Sequence, residues 1–234
     1  MIKIKIFQDG ADKNQIIEAS RDPLISGFTT NPSLMKKSGV KDYESFAKEV
    51  ISKVTDKPIS FEVFSDEINE MEKEARVIAS WGGNTYIKIP IMNSEGISTC
   101  GLIKKLSDEN FSLNITAIFT LEQVTEILKN INFNSKTILS IFAGRIADTG
   151  IDPIPLMTEA KKMIANNKNA ELLWASPREV LNIFQAEECG CDIITATNDI
   201  IKKLDLFQKD LNEFSRETVE MFYKDAIEAG YKII

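Results

Sequence analysis

The chain has 234 residues, 43% hydrophobic and 27% charged, with a formal net charge of −7. That length suits one domain better than two, the acidic balance argues against a broad nucleic-acid or anionic-membrane surface as the main partner, and no apolar run is long enough to span a bilayer. Histidine is absent, which excludes Ser-His-Asp and Cys-His machinery, His general bases and His-ligated metals.

The opening residues, MIKIKIFQDG, alternate as a strand does and lack the basic region, apolar core and small-residue cleavage site of a signal peptide. A first strand is expected over 2–7. Further apolar, β-branched runs follow at 25–28, 58–63, 84–89, 112–118, 137–142, 171–175 and 192–195. Several are apolar nearly throughout, as parallel strands covered on both faces tend to be.

Helical patterns lie between them. Over 42–54 the apolar residues Tyr43, Phe46, Ala47, Val50, Ile51 and Val54 fall at i, i+3, i+4 and i+7. Over 66–79 the same stripe is made by Ile68, Met71, Ala75, Ile78 and Ala79. Thr120 with Gln123 reads as a capping box, and Ser176-Pro177-Arg178-Glu179 as another with proline at the first helical position. A long helix or helix pair is expected over 206–230. The cysteines Cys100, Cys189 and Cys191 are odd in number and without metal-ligand spacing, which fits a reducing, cytoplasmic compartment.

About eight strands, each followed by a helix, make a (β/α)8 TIM barrel of the α/β class, with an additional C-terminal helix. The expected organisation is one catalytic domain over 1–234, with 206–230 as a helical extension that covers the barrel or reaches a neighbouring subunit. A doubly wound sheet is the runner-up, but the first strand is not followed by a Gly-rich dinucleotide turn.

In such a barrel the site lies at the C-terminal ends of the strands. The polar residues expected there are Asp9, Asn31, Glu62, Lys88, Asn114, Thr116, Ser140, Arg145, Ser176, Arg178 and Thr195. Lys88 lies in Tyr86-Ile87-Lys88-Ile89-Pro90, a strand otherwise apolar and aromatic. Facing inward, its amine is desolvated and suited to Schiff-base chemistry; facing outward, it snorkels past a helix. Asp9 and Glu62 read either as paired carboxylates for proton transfer or as a helix cap and a solvated loop acid. Arg145 and Arg178, with Ser176 and the N–H groups of its helix start, read as a phosphate site or as two surface ion pairs.

Taken together, these motifs resemble the transaldolase family. Gly27-Phe28-Thr29-Thr30-Asn31-Pro32-Ser33-Leu34 is similar to its Thr-Thr-Asn-Pro-Ser signature, and Tyr86-Ile87-Lys88-Ile89-Pro90 with Glu95-Gly96 to its Schiff-base strand. Asn114-Ile115-Thr116, Ser140-Ile141-Phe142-Ala143-Gly144-Arg145-Ile146 and Ala175-Ser176-Pro177-Arg178 resemble its later blocks in the family's order. The resemblance runs from about Phe7 to Thr197, and the short length is similar to the small transaldolase and fructose-6-phosphate aldolase branch.

The resemblance implies roles residue by residue. Lys88 forms the imine with the ketose carbonyl, Asp9 moves the C4 hydroxyl proton, and Glu62 with a water held by Thr116 shuttles protons. Asn31, Asn114 and Ser140 hold the dihydroxyacetone unit, while Arg145, Ser176 and Arg178 bind the distal phosphate. No metal or cofactor is implied; the partners are sugar phosphates, not nucleic acid or membrane, and further copies of the chain in a homo-oligomer. Fructose-6-phosphate aldolases carry glutamine where this chain has Glu62 and tyrosine where it has Phe142, so both positions resemble the transferase. Two departures, Ile141 in place of a common proline and the opening Gln8-Asp9-Gly10-Ala11, bear on the donor sugar. The alternatives are aldol cleavage releasing dihydroxyacetone, a transaldolase-like enzyme of a specialised sugar pathway, and a non-catalytic phosphosugar-binding barrel.

Overall fold

Eight short strands close on themselves in a computed structural model that describes residues 2–234. They are β1 (Lys5–Asp9), β2 (Ile25–Thr29), β3 (Ile59–Glu62), β4 (Thr85–Pro90), β5 (Leu113–Ile118), β6 (Thr137–Ile141), β7 (Ala170–Trp174) and β8 (Ile193–Thr197). Each pairs in parallel with its sequence neighbour, and β1 closes on β8 from Lys5↔Ile193 to Asp9↔Thr197. A helix crosses between successive strands, the (β/α)8 arrangement expected.

Two devices fill the barrel. Residues of one parity along each strand point inward, and Phe7, Tyr86, Ile138, Leu173, Ala175 and Ile193 form a buried apolar layer there. The Phe7 ring enters this layer over Gly27, where an added Cβ would stand 2.6 Å from the ring. Residues of the other parity, among them Ile6, Phe28, Phe61, Ile87 and Ile89, are buried too. That two-sided burial is why the strands read as near-continuous apolar runs.

Three expectations need correcting in detail. The first strand starts at Lys5 rather than at residue 2, because the Glu187 carboxylate takes the N–H groups of Lys3 and Ile4 at 2.7 and 3.2 Å before the sheet begins. The strand runs on past residue 7 to Asp9, its last residue. The capping box at Thr120 and Gln123 forms as expected. The one at Ser176 does not: the helix begins at Leu181, and Ser176 takes φ 59°. The Asn182 side chain accepts from the N–H groups of Arg178 (2.7 Å) and Glu179 (3.2 Å), so those donors are turned inward on their own loop. Asp9 caps no helix either; Asp12 caps the helix Lys13–Ala19.

The chain divides into two compact units, one reaching to Ile201 and one spanning Lys202–Ile234. The second holds a 3-10 turn (Lys203–Leu206) and the helix Leu211–Glu228. The stretch expected as a long helix or helix pair holds one 18-residue helix that starts at Leu211, after Gln208 at φ 60°, with Asp210 capping the start through the Glu213 N–H at 2.9 Å. No residue of the helix Leu211–Glu228 is buried. Among the described residues no helix is long and apolar enough to cross a membrane.

Candidate active site

Lys88 occupies the middle of the site. Inward parity on β4 puts it two residues past Tyr86 of the apolar layer. It is only 6% exposed. Its Nζ donates to the Thr30 carbonyl at 2.9 Å and pairs with Glu62 Oε2 at 3.0 Å. The register Glu62↔Lys88 between β3 and β4 sets the two side by side. Of the two readings open for Lys88, the inward one holds.

Asp9 approaches from β1. The Thr29 hydroxyl donates to Asp9 Oδ1 at 2.7 Å and also contacts the Thr195 hydroxyl at 2.5 Å. A hydroxyl has one proton to give, so while Thr29 serves Asp9, Thr195 donates to Thr29. Burial pushes the Asp9 carboxyl above the ordinary carboxylate value, opposed by the charge of Lys88 and the Thr29 hydrogen bond and assisted by the charge of Glu62. Glu62, whose side chain is 15% exposed and paired with Lys88, is not a solvated loop acid.

A cavity of about 250 Å³ opens over these groups at the C-terminal ends of the strands. Asp9, Asn31, Glu62, Lys88, Thr116, Ser140, Phe142, Arg145, Ser176 and Thr195 line it, so ten of the expected site residues meet there. Thr116 is buried, and its Oγ1 is without a hydrogen-bond partner among the described residues. A bulge in β5 between Ile115 and Ile118 and the φ of 57° at Ala117 shape that wall. Backbone held in the left-handed region costs about 1 kcal/mol and collects at functional sites; here Ala117 and Ser176, both on the rim, adopt it.

Two expected residues sit off the wall. Asn114 is wholly buried, its Nδ2 donating to Ser60 Oγ at 2.9 Å and its Oδ1 accepting from Ser140 Oγ at 2.7 Å. It links β3, β5 and β6 beneath the cavity and orients Ser140. Arg178 forks onto Asp148, with Nε 3.0 Å from Oδ1 and a second contact from its other nitrogen to Oδ2. That pairing holds the Asp148 carboxyl below the usual range. Arg145 is different: no carboxylate lies within ion-pair distance of it among the described residues. Its guanidinium stacks 5.0 Å from the Phe142 ring centre at the cavity edge. Asn31 spends its Oδ1 on capping the helix Pro32–Lys37 through the Leu34 N–H, at 3.0 Å.

Four residues of the site were not singled out from sequence for their chemistry. Thr29 and Thr30 stood inside the quoted Thr-Thr-Asn-Pro-Ser run, and Ser60 shares the face of β3 with Glu62. Tyr43 counted only as part of an apolar helical stripe, yet its hydroxyl contacts the Glu62 backbone. A larger depression, about 460 Å³, lies at the opposite end of the strands around Lys136, Lys161 and Glu171, remote from this chemistry. Among the described residues no group of three or more Cys, Asp or Glu side chains is arranged to hold a metal ion.

Comparison with known proteins agrees with the barrel fold. Solved structures similar in fold include a dihydrodipicolinate synthase from Rhodopseudomonas palustris, with a TM-score of 0.58 at 10% identity over 97% of this chain and 81% of that one. A mandelate oxidase mutant gives a TM-score of 0.58 at 11% identity over 87% of this chain and 71% of that one. At such identities the likeness is one of barrel fold alone. Sequence relatives are nearer. The probable transaldolase of Brucella anthropi is 35% identical over 98% of this chain and 100% of its own length. Probable transaldolase 2 of Listeria monocytogenes is 35% identical over 86% of this chain and 88% of that protein. The family model described as Transaldolase/Fructose-6-phosphate aldolase matches residues 6–233. The chain belongs to the transaldolase/fructose-6-phosphate aldolase family.

Proposed function

We propose that the chain is a transaldolase: it moves a dihydroxyacetone unit from a ketose phosphate, such as sedoheptulose 7-phosphate or fructose 6-phosphate, to an aldose phosphate through an imine on Lys88. The observation that carries the reading is a buried lysine amine 3.0 Å from Glu62, on the wall of a cavity it shares with Asp9.

The steps use groups already in place. The Lys88 amine adds to the ketose C2 carbonyl, Glu62 and a water at Thr116 move the protons, and water leaves as the imine forms. Asp9 takes the C4 hydroxyl proton as the C3–C4 bond breaks, and the bonding electrons pass into the protonated imine to give an enamine. The aldose phosphate departs. An acceptor aldehyde is attacked by the enamine, Asp9 returns the proton to the new hydroxyl, and water then releases the product ketose and the Lys88 amine. A carboxyl whose proton affinity is raised by burial suits this shuttling better than an ordinary surface aspartate.

Asn31 through its amide nitrogen, Ser140, and Asn114 beneath it form the cradle proposed for the three-carbon unit. Arg145 and Ser176 on the rim are the proposed phosphate contacts, and Arg178 joins them only by leaving Asp148. By resemblance, Glu62 and Phe142 favour transfer over simple cleavage, since no phenol stands at position 142 to hold a water for protonating the enamine.

The test is turnover of fructose 6-phosphate with and without erythrose 4-phosphate. The reading predicts that sustained turnover requires the acceptor; release of free dihydroxyacetone at the same rate in its absence would establish the aldolase alternative instead.

A further inference from the structure

Pro32 leaves a gap in the sheet beside the site. In a parallel ladder the N–H and C=O of one residue face the same neighbour, the N–H bonding to the residue before its partner and the C=O to the residue after. Ser60 of β3 is paired with Thr29 of β2, and its carbonyl accepts from the Thr30 N–H at 3.2 Å. Two residues on, Glu62 faces the same way. Continued in register, its N–H would go to the Thr30 carbonyl and its C=O would accept from residue 32. But residue 32 is proline, which has no N–H to give, and β2 has already ended at Thr29.

The Tyr43 hydroxyl occupies that gap. It accepts from the Glu62 N–H at 2.8 Å and donates to the Glu62 carbonyl at 3.1 Å. One side chain thus satisfies both backbone groups of the residue that bears the acid. The consequence reaches Lys88: the Thr30 carbonyl, relieved of the Glu62 N–H, accepts from Lys88 Nζ at 2.9 Å instead. On its other side β3 remains in the ladder, the Val63 N–H donating to the Lys88 carbonyl at 3.0 Å. The phenol is itself held in place by rings. Phe61, Phe64 and Trp81 stand 6.0, 4.5 and 5.3 Å from its ring centre, and Tyr43 is the first residue of the helix Tyr43–Lys53.

We propose that Tyr43 is a positioning residue for the Lys88–Glu62 pair: its hydroxyl replaces the missing end of β2, fixes the Glu62 backbone and reserves the Thr30 carbonyl for the lysine amine. This deepens the functional reading above and rests on it for its effect on turnover, though the arrangement of the pair is measurable without substrate.

Tyr43→Phe keeps the ring cluster and removes only the hydroxyl. Loss of about an ångström of alignment costs up to roughly a hundredfold, so kcat and the rate of borohydride-trapped imine formation are expected to fall together by about tenfold to a hundredfold, with KM for the ketose phosphate little changed. Ile164→Val, a buried position of the helix Ile154–Ile164 beside the depression at the opposite end of the strands, serves as the structural control: its melting temperature falls while kcat holds. A second probe needs no sugar. Reductive methylation of Lys88 by formaldehyde and borohydride, followed by peptide mass across pH, should show an altered pH profile in Tyr43→Phe and an unaltered one in Ile164→Val. Identical Lys88 methylation profiles in wild type and Tyr43→Phe overturn the proposal, whether or not sugar is trapped. Wild-type protein that methylates at Lys88 but never traps a sugar defeats the functional reading alone.

Discussion

Asp9 shows at the scale of one residue how burial sets both chemistry and stability. Its carboxyl holds a proton more tightly in the folded chain than in the unfolded one, because desolvation outweighs the help of Lys88 and Thr29. Between the ordinary value of 3.8 and its raised folded value, the native state therefore binds more protons, and stability is lost as pH rises through that window. Asp9→Asn removes the cost of ionising a buried group while the amide oxygen still accepts from Thr29. Its melting temperature at pH 7 should exceed that of wild type by a few degrees, and the gain should vanish below pH 3.8, where both side chains are neutral. Cleavage should be lost at the same time. Equal or lower melting at pH 7 would show that Asp9 is not paying a desolvation cost. Parity alone left Lys88 undecided in the sequence, since Tyr86 and Lys88 share a face and nothing local says which face is inside. The register with Glu62 and the bond to Thr30 decide it, and both come from residues far away in the chain.

At the scale of elements, the strand ends do the positioning, and they were the least legible part. Apolar runs located all eight strands because burial on both faces leaves a continuous signal. The offset of β1 depended on the Glu187 carboxylate, and the failed cap at Ser176 on the Asn182 side chain; neither leaves a local pattern. The bulge before Ile118 was equally hidden. The end of β6 and the end of β7 meet at Gly144, whose N–H donates to the Ala175 carbonyl at 3.2 Å. An added Cβ there would lie 1.6 Å from the Ser176 carbonyl oxygen, a backbone atom that cannot turn aside. Gly144→Ala should therefore destabilise the fold by about 1–3 kcal/mol and push apart the two rim segments that carry Arg145 and Ser176. Thermal melting reads the first effect, and a raised KM for phosphorylated over unphosphorylated ketoses the second. Wild-type melting and KM would mean that this contact is not rigid.

On the scale of the whole molecule, the barrel interior passes from a buried apolar layer to polar side chains toward the mouth, where Lys88, Glu62 and Asp9 meet. The fold class was legible because eight repeats of one pattern average out errors at each boundary. Ten of the expected site residues proved to share one cavity, whereas Asn114 and Arg178 have partners of their own in Ser60 and Asp148. Those partners could not be inferred from spacing, since each lies on a different strand or loop. Net charge of −7 is compatible with a small phosphate held locally by Arg145, which no acid neutralises within ion-pair distance among the described residues. The central claim is that Lys88 is the covalent attachment point. It is tested most directly by incubating the protein with fructose 6-phosphate, reducing with borohydride and locating the adduct by peptide mass. The account predicts a reduced three-carbon unit on the peptide containing Lys88, absent in Lys88→Ala. An unmodified Lys88, or an adduct on any other lysine with turnover intact in Lys88→Ala, would contradict it.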